Sequence, residues 1–331
     1  MQTIRARAPV RFCDLGGWTD TRIVPSGAVL NFTATLYTQV TLQAGGFSRI
    51  TIESFDTDEH AEIRNIRQLE CDGVLDLFKA AIRRTGIQRG VRLLVRSDAP
   101  PGSGLGSSAA LGVATIAALA EYLQWRLLPY EVARESQALE TEELGLECGV
   151  QDQLASAHGG VNYMDVNYPH ARVQQVQLDD ATHCELEDRF VLVYTGHSHF
   201  SSGMHQKVIA EYEAGHNVSV FERLAECAVR GKEALLSGDL DGFAEAMNAN
   251  WEAQKALHPD ITTPAIERLH EVTVAAGAAG FKANGAGGGG TVTILSRRNK
   301  DHLVRRAVEQ LGMTVLPCKL DSSGLRVWRA D

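Results

Sequence analysis

A glycine-rich segment in the first half of the chain is suited to binding phosphate. Residues 100–110 read Pro-Pro-Gly-Ser-Gly-Leu-Gly-Ser-Ser-Ala-Ala. Glycines at alternate positions let the backbone approach a ligand and turn its N–H groups inward. A helix is expected from about Ser107, and its N-terminus would point about half a positive charge at the same place. The segment therefore predicts a phosphate-binding loop made of Pro101, Gly102, Ser103, Gly104, Leu105, Gly106, Ser107 and Ser108.

Three other interpretations of this segment fit less well. A flexible turn with Ser107 as a plain N-cap does not need three glycines and two prolines before it. The segment is not a Walker A loop, because no Gly-Lys-Ser/Thr ends it. It also fails the dinucleotide-binding fingerprint, because Ser107 stands at the third glycine position. A hydride-transfer enzyme is thus the weaker alternative.

A second group of candidate residues lies near the N-terminus. Arg11 falls on an expected strand, just before a tight turn at Gly16 and Gly17 that presents Trp18, Thr19 and Asp20. Arginine is a permanent cation suited to phosphate or to developing oxyanion charge. An ionised aspartate only accepts hydrogen bonds, and its two oxygens can hold two hydroxyl groups of a ligand. The alternative is a surface Arg–Asp pair, which is common and weak.

Acidic residues are concentrated at residues 140–152. In a site that transfers a phosphoryl group, one carboxylate would hold Mg²⁺ and another would orient the attacking hydroxyl. For Glu142, Glu143 and Glu147 we favour a solvated helix face. Asp152 follows Gly149 on what we expect to be a loop, where helix solvation does not explain a carboxylate. We therefore favour a functional role for Asp152.

A third segment, Lys-Ala-Asn-Gly-Ala-Gly-Gly-Gly-Gly at residues 282–290, lies between two expected strands. Strands on both sides predict a rigidly held turn that closes over the active site, whereas the alternative is a flexible hairpin. The His-Ser-His sequence at residues 197–199 and His205 could suggest zinc, but no Cys or carboxylate follows at short range. We expect these to be surface histidines.

These segments together resemble the motifs of the GHMP kinases, the family of galactokinase and of homoserine, mevalonate and phosphomevalonate kinases. Residues 100–110 resemble the family pattern P-x-x-x-G-L-G-S-S-A. Residues 8–20, Ala-Pro-Val-Arg-Phe-Cys-Asp-Leu-Gly-Gly-Trp-Thr-Asp, resemble its N-terminal substrate motif, and residues 282–290 its C-terminal glycine-rich motif. The three segments occur in the family's order and extend over nearly the whole chain.

The resemblance implies a role for each candidate residue. It implies ATP and Mg²⁺ as cofactors, Arg11 near the reacting hydroxyl and, by similarity to the galactokinase segment Cys-Gly-Val-Gln-Asp-Gln, Asp152 as catalytic base. Glu140 would be the Mg²⁺ ligand together with Ser107 or Ser108. The substrate-binding residues would be Gly17, Trp18, Thr19, Asp20, Gly287 and Gly288.

Three short stretches resemble one branch of the family, that of D-glycero-D-manno-heptose 7-phosphate kinase and L-fucokinase, which phosphorylate the anomeric hydroxyl. They are Gly-Gly-Trp-Thr-Asp at 16–20, Gly-Ala-Val-Leu-Asn at 27–31 and Val-Tyr-Thr-Gly at 193–196. The free-standing length favours the heptose kinases. Cys13 and His199 depart from the branch pattern, and Arg22 could replace the basic residue expected at His199. A non-catalytic nucleotide or sugar sensor is the alternative from another functional class.

Composition excludes several other classes of protein. The formal net charge is −9, and no run of Lys and Arg exceeds two residues, so the basic face of a nucleic-acid-binding protein is missing. No apolar stretch is long enough to predict a membrane span. Six cysteines without CxxC spacing indicate reduced thiols, as in a cytoplasmic protein. A homo-oligomer is left open.

The expected elements position these residues in an α+β fold with two lobes, mostly antiparallel sheets and packed helices. The boundary between an N-terminal domain, residues 1–180, and a C-terminal domain, 181–331, is expected within the polar residues 179–188. Alternating residues predict strands at 1–12, 29–34, 37–43, 49–54, 91–96, 190–194, 291–295, 314–320 and 325–328. Helical spacing predicts helices at 74–85, 107–126, 130–144, 203–214, 220–236, 240–257, 263–276 and 300–311.

Overall fold

Helices and strands alternate irregularly along the chain in the computed structural model, which describes residues 2–66, 69–88, 90–196, 201–317 and 319–330. The strands are β1 Gln2–Leu15, β2 Gly27–Ala44, β3 Ile50–Ser54, β4 Glu59–Ile63, β5 Val91–Ser97, β6 Val161–Asn167, β7 His170–Gln175, β8 Phe190–Tyr194, β9 Ala278–Ala283, β10 Thr291–Ser296, β11 Thr314–Leu316 and β12 Arg326–Ala330. The helices are α1 Asp76–Thr85, α2 Ser107–Leu123, α3 Pro129–Ala138, α4 Gln151–His158, α5 Asp180–Arg189, α6 Ser201–Glu213, α7 Val218–Leu236, α8 Leu240–Lys255, α9 Pro264–Ala276 and α10 Asp301–Gln310, with a π-helical turn at Leu139–Glu143 and a 3₁₀ turn at Pro259–Ile261.

The strands form two sheets. The larger has eight strands in the order β12-β1-β2-β5-β3-β4, with β6 pairing β2 and β7 pairing β6. The smaller has the order β11-β8-β10-β9. Among the described pairs, only β3 and β5 run parallel, so the expected α+β class with mostly antiparallel sheets is confirmed. The long strand β2 pairs with β1 along one edge. Along its other edge the first part pairs with β6 and the second part with β5.

The core lies between the larger sheet and the helices that cover it. Helix α2 is rich in alanine and buried on most sides, which lets it pack closely on β1 and β2. Aromatic rings from both halves of the chain meet at the centre, where Phe12 lies 5.3 Å from Phe190 and Phe32 lies 5.6 Å from Phe243, measured between ring centroids. Burying a side chain of this size contributes about 1.5–3 kcal/mol. The sequence-based domain boundary therefore remains a prediction, since this core crosses it.

Several elements differ from the sequence-based expectation. The strands expected at 29–34 and 37–43 are one strand, β2. The helix expected at 130–144 ends in the π-helical turn. Asp152, expected on a loop, lies in the first turn of α4, so that expectation was wrong. The polar residues 179–188 mostly form α5, whose N-cap Asp179 accepts a hydrogen bond from Thr182 N at 2.7 Å.

None of the helices in the described part of the chain is both long and apolar enough to cross a membrane.

Candidate active site

A cavity of about 320 Å³ lies where β1, the glycine loop, the π-helical turn and α4 meet. Ten of the sequence-predicted site residues line it: Arg11, Trp18, Asp20, Gly102, Gly104, Gly106, Ser107, Ser108, Glu140 and Asp152. The fold thus brings three distant segments of the chain to one place. Further lining residues, none of them among the predicted catalytic, nucleotide-binding, substrate-binding or metal-binding residues, are Asp14, Thr21, Ala109, Leu146, Glu147, Cys148, Gly149, Gln151, Gln153, His205, Gly285 and Ala286.

The glycine loop leads directly into α2. Gly102, Gly104 and Gly106 all have positive φ, at +65°, +74° and +68°, a conformation in which glycine avoids the strain of a side chain. Helix α2 begins at Ser107 and its N-cap is Gly106, without a side-chain cap and without an acidic residue in the first turn. The alternative with Ser107 as N-cap is therefore wrong. The positive end of α2 is left for an anionic ligand.

Arg11 and Asp152 form a bidentate ion pair beside this loop. Arg11 Nε donates to Asp152 Oδ1 at 2.8 Å and Arg11 Nη2 to Oδ2 at 3.1 Å. A third donor, Arg11 Nη1, bonds to the carbonyl of Gly104. Burial opposes the charge on Arg11, but the carboxylates of Asp152, Asp14 and Asp20 outweigh it and raise the pKa of the guanidinium. The side chain of Arg11 is 5% exposed and that of Asp152 is 28% exposed, so the carboxylate is the more accessible partner from the cavity.

Asp20 lies at the N-terminus of α4, the helix that carries Asp152. Its Oδ2 accepts hydrogen bonds from Val150 N at 2.9 Å and Gln151 N at 3.0 Å. Burial is the largest effect on this carboxyl and raises its pKa to about 6, against the lowering effect of the backbone donors. The negative charge of Asp152 raises it further.

Glu140 is placed in the cavity by the π-helical turn, a local distortion that is frequent at functional sites. Ser108 Oγ donates to Glu140 Oε1 at 3.0 Å, and Gln153 Nε2 to Oε2 at 3.3 Å. Burial raises the pKa of Glu140, while the hydrogen bonds from Ser108 and Cys148 lower it. A carboxylate beside serine hydroxyls is a hard oxygen donor set that suits Mg²⁺.

The protein side of this donor set is small. The described residues contain no group of three or more His, Cys, Asp or Glu side chains that could hold a metal ion. Mg²⁺ usually keeps several waters and binds one or two carboxylates plus substrate phosphates. The residues present therefore fit a cation that arrives with a nucleotide.

The remaining predicted residues lie behind the cavity wall or beside it. Thr19 is fully buried, and its hydroxyl donates to the carbonyl of Gly16 at 2.8 Å. Gly17 packs against Asp14: a Cβ at this position would lie 2.7 Å from Asp14 Oδ2, too close for a side chain. Leu105 O accepts from Arg11 N at 3.0 Å. These residues support the cavity from outside its lining.

The third glycine segment packs against the first. Thr291 Oγ1 donates to Ser103 O at 2.9 Å, and a Cβ on Gly285 would lie 2.8 Å from the carbonyl oxygen of Gly104. Gly288 N donates to Ile261 O at 2.7 Å. The turn is therefore held in place by these contacts. Gly285 and Ala286 line the cavity, whereas Gly287 and Gly288 do not. Pro101, in the first glycine loop, does not line the cavity either and is exposed to solvent.

Asp14 is the main residue that the sequence did not single out. Its carboxylate pairs with Lys282 Nζ at 3.1 Å, and both side chains are at most 2% exposed. The pair joins the N-terminal motif to the start of the third glycine segment. Asp14 stands in the N-terminal motif and Lys282 in the C-terminal one. Because 268 positions separate them, no local sequence pattern predicts that they pair.

His205 lines the cavity and is partly buried, which differs from the expected surface position. Its Nδ1 lies 2.9 Å from Glu147 O, its ring is perpendicular to Trp18, and burial lowers its pKa. Arg22, the candidate to replace the basic residue expected at His199, pairs with Glu147 at 2.7 Å. His197 and His199 lie outside the described residues.

Comparison with known proteins identifies the family. The model for the GHMP kinases N terminal domain matches residues 73–160, and the model for GHMP kinases C terminal matches residues 232–312. The D-glycero-alpha-D-manno-heptose 7-phosphate kinase of Campylobacter jejuni is 30% identical, over 99% of this chain and 100% of that protein. The bifunctional fucokinase/GDP-fucose pyrophosphorylase of Arabidopsis thaliana is 29% identical over 88% of this chain and 30% of its own length.

Solved structures agree. A D-glycero-D-manno-heptose 1-phosphate kinase from Bacteroides thetaiotaomicron superposes with a TM-score of 0.82 at 28% identity, covering 99% of both chains. A putative sugar kinase from Campylobacter jejuni has a TM-score of 0.80 at 29% identity, over 100% of this chain and 99% of that one. The chain therefore belongs to the GHMP kinases, in the branch of the heptose phosphate kinases and fucokinases, and is an ATP-using phosphotransferase that acts on a sugar hydroxyl.

Proposed function

We propose that this enzyme phosphorylates the anomeric hydroxyl of D-glycero-D-manno-heptose 7-phosphate and forms the 1,7-bisphosphate. The observation that carries the proposal is the full-length similarity, over both chains, to the heptose 7-phosphate kinase of Campylobacter jejuni. The similarity to fucokinase extends over only 30% of that larger protein.

In the proposed reaction Asp152 is the catalytic base. The hydroxyl oxygen of the sugar attacks the γ-phosphorus of ATP, its proton passes to the carboxylate of Asp152, and the bond to the β-phosphate oxygen breaks to release ADP. Arg11 orients that carboxylate through two hydrogen bonds. The first turn of α2 and the backbone of the glycine loop would hold the phosphates.

Glu140, Ser107 and Ser108 would hold Mg²⁺, which supplies charge neutralisation at the phosphates when it is bound. On the sugar side, Trp18 and Asp20 line the cavity and are proposed substrate contacts. Gly17, Thr19, Gly287 and Gly288 would act by supporting the backbone around the sugar. The division into domains at residues 1–180 and 181–331 is also a proposal.

L-fucose is the second candidate substrate, favoured by Gly-Gly-Trp-Thr-Asp at residues 16–20 and by the Arabidopsis relative. A non-catalytic sensor is disfavoured by the ion pair of Arg11 and Asp152, because a protein that only binds ligand does not need an oriented carboxylate next to the phosphate loop.

The test is ADP release from Mg·ATP with a panel of L-fucose, D-mannose, galactose, glucuronate and D-glycero-D-manno-heptose with and without its 7-phosphate. We expect turnover with the heptose 7-phosphate. Asp152→Asn should lower kcat by about 10²–10⁴-fold, the usual contribution of a general base. Asp188→Asn, an exposed carboxylate on α5, is the matched control and should leave kcat unchanged.

Turnover on a different sugar would replace the substrate but keep the mechanism. ATP binding without turnover on any sugar would favour the sensor or a sugar outside the panel. Failure to bind ATP would contradict the whole proposal.

A further inference from the structure

Asp20 makes contacts that a residue devoted to substrate would not need. Its side chain is buried, and it satisfies the amide groups of Val150 and Gln151, 130 and 131 positions away along the chain. Its other oxygen, Oδ1, accepts from Gln151 Nε2 at 3.3 Å. The carboxylate thus acts as a helix cap supplied by a distant part of the chain.

Helix α4 depends on this external cap. It has only eight residues, and its N-cap Val150 offers no side-chain hydrogen bond. Isolated helices of this length are not stable, and the amide groups of the first turn need acceptors from elsewhere. Asp152 lies one residue after Gln151, so a change at the start of the helix moves the proposed base directly.

The approach of Asp20 to the helix is fixed on both sides. A Cβ at Gly149 would collide with Asp20 Oδ2, so only glycine leaves room for the carboxylate. Trp18 in the same turn has φ of +81°, a conformation that a bulky residue keeps only when its surroundings enforce it. Thr19 Oγ1 ties the turn to β2 by accepting from Ala28 N at 3.1 Å.

We propose that Asp20 is a positioning residue for the catalytic base: its Oδ2 fixes the first turn of α4, and thereby the direction from which Asp152 meets the attacking hydroxyl. Arg11 on β1 holds the side chain of Asp152. Asp20, in the turn after β1, holds the backbone amides of Val150 and Gln151, which directly precede Asp152. One N-terminal segment therefore aligns the base twice. The inference rests on the proposed role of Asp152.

Charge on Asp20 strengthens both backbone hydrogen bonds, because hydrogen bonds to an ionised acceptor are stronger. The ionisable groups around it are Arg11 on β1, Asp152 on α4, Cys148 before α4, and Tyr168 after β6. Burial, the largest effect, places the pKa of Asp20 at about 6. As the pH falls through that value the carboxyl takes up a proton, so kcat should decline on the acid side.

Two substitutions separate positioning from substrate binding. In Asp20→Asn the amide oxygen can take the place of Oδ2 and accept both backbone hydrogen bonds, whereas Asp20→Ala removes the acceptor. We expect Asp20→Ala to lower kcat about 100-fold with the KM for ATP within about twofold, and Asp20→Asn to restore kcat to within about fivefold of wild type. The acid decline near pH 6 should be absent in Asp20→Asn.

Hydrogen exchange of peptides covering residues 149–158, measured without any sugar, provides a readout that does not depend on the substrate. Asp20→Ala should speed exchange in these peptides, and Asp20→Asn should not. Asp179→Ala removes the N-cap of α5 and is the matched control: it should affect exchange at α5 only and leave kcat unchanged.

Equal rises in the KM for sugar in both Asp20 variants, with kcat preserved, would make Asp20 a substrate ligand only and would overturn the inference. Unchanged exchange at residues 149–158 in Asp20→Ala would also overturn it. If wild-type enzyme phosphorylated no sugar while Asp20→Ala still released these amides, the proposed function would fail and the structural role of Asp20 would be supported.

Discussion

At the scale of single residues, Arg11 makes contacts that a lysine could not reproduce together. Its guanidinium bonds both carboxylate oxygens of Asp152 and also the Gly104 carbonyl, so it connects the proposed base to the phosphate loop. Lysine keeps the charge but loses the planar, two-pronged geometry.

We therefore expect Arg11→Lys to lower kcat about 100-fold, with a smaller change in the KM for ATP. Steady-state kinetics on the sugar identified in the panel would measure this. Arg7→Lys on the same strand, where Arg7 lies over the Tyr37 ring at 4.6 Å, should retain full activity. A loss of equal size in both variants would mean that the effect comes from β1 as a whole.

Glu140 permits a separate test of the cation site. Glu140→Gln keeps the size of the side chain and can keep the hydrogen bond from Ser108, but it removes the negative charge of the proposed Mg²⁺ ligand. The Mg²⁺ concentration for half-maximal activity should rise about tenfold or more. Glu142→Gln, two residues along the same π-helical turn and 63% exposed, should leave the Mg²⁺ requirement as in wild type. An unchanged requirement in Glu140→Gln would contradict the proposed ligand.

The residues that the sequence could predict are those with a chemical signature in their own neighbourhood. Arg11 and Asp152 stand in recognisable motifs, and the structure brings them within hydrogen-bonding distance. Asp14 also stands in a motif, but its contacts and those of His205 could not be predicted, because their partners lie 268 and 58 positions away. Pairings of this kind are fixed by tertiary packing.

At the scale of elements, the glycine loop and α2 form one unit with α4. Gly106 has φ of +68°, and a Cβ there would lie 3.0 Å from Asp152 Oδ2. Gly106→Ala should therefore cost stability, about 1 kcal/mol from the left-handed backbone, and should also displace the carboxylate. We expect kcat to fall by about tenfold or more, as measured by steady-state kinetics together with urea denaturation.

Gly86→Ala is a matched control for this variant. Gly86 has φ of +70° at the C-terminus of α1, and a Cβ there would have nothing within 4 Å. It should show the same loss of stability with full activity. If both variants lost activity alike, the backbone strain rather than the contact with Asp152 would be responsible.

The start of α2 could be predicted because a glycine loop precedes a long apolar helix, whereas α4 could not. Its eight residues include good helix formers such as Leu154 and Ala155, but the run is too short to show helical spacing, and Gly149 just before it favours a loop. Asp20 supplies the missing cap from a segment 130 positions earlier in the chain, so the element is stable only in the folded chain. The π-helical turn that buries Glu140 could not be predicted either, because residues 139–143 read as a continuation of the preceding helix.

At the scale of the whole molecule, the order of three motifs was enough to predict the fold class and family. The return of β12 to pair with β1 joins the C-terminus to the N-terminal sheet, and the central aromatic cluster draws on both halves of the chain. Periodicity predicts that such segments are strands or core, but it does not specify which sheet they join.

The buried pair of Asp14 and Lys282 connects the two sheets and gives the last prediction. It lies between the end of β1 in the larger sheet and β9 in the smaller one, and Lys282 also donates to Gln254 Oε1 at 3.0 Å and to Ala283 O at 2.8 Å.

Removing one member of the pair leaves the other charge buried without its partner, which typically costs about 3–5 kcal/mol. Asp14→Asn and Lys282→Met should each lower the free energy of unfolding by about 3 kcal/mol, measured by urea denaturation. The double variant should lose about 2 kcal/mol less than the sum of the two, because no uncompensated charge remains. Arg49→Met with Glu62→Gln, which breaks an exposed pair, should show no comparable loss, whereas strictly additive losses at Asp14 and Lys282 would mean that the two side chains stabilise their sheets independently.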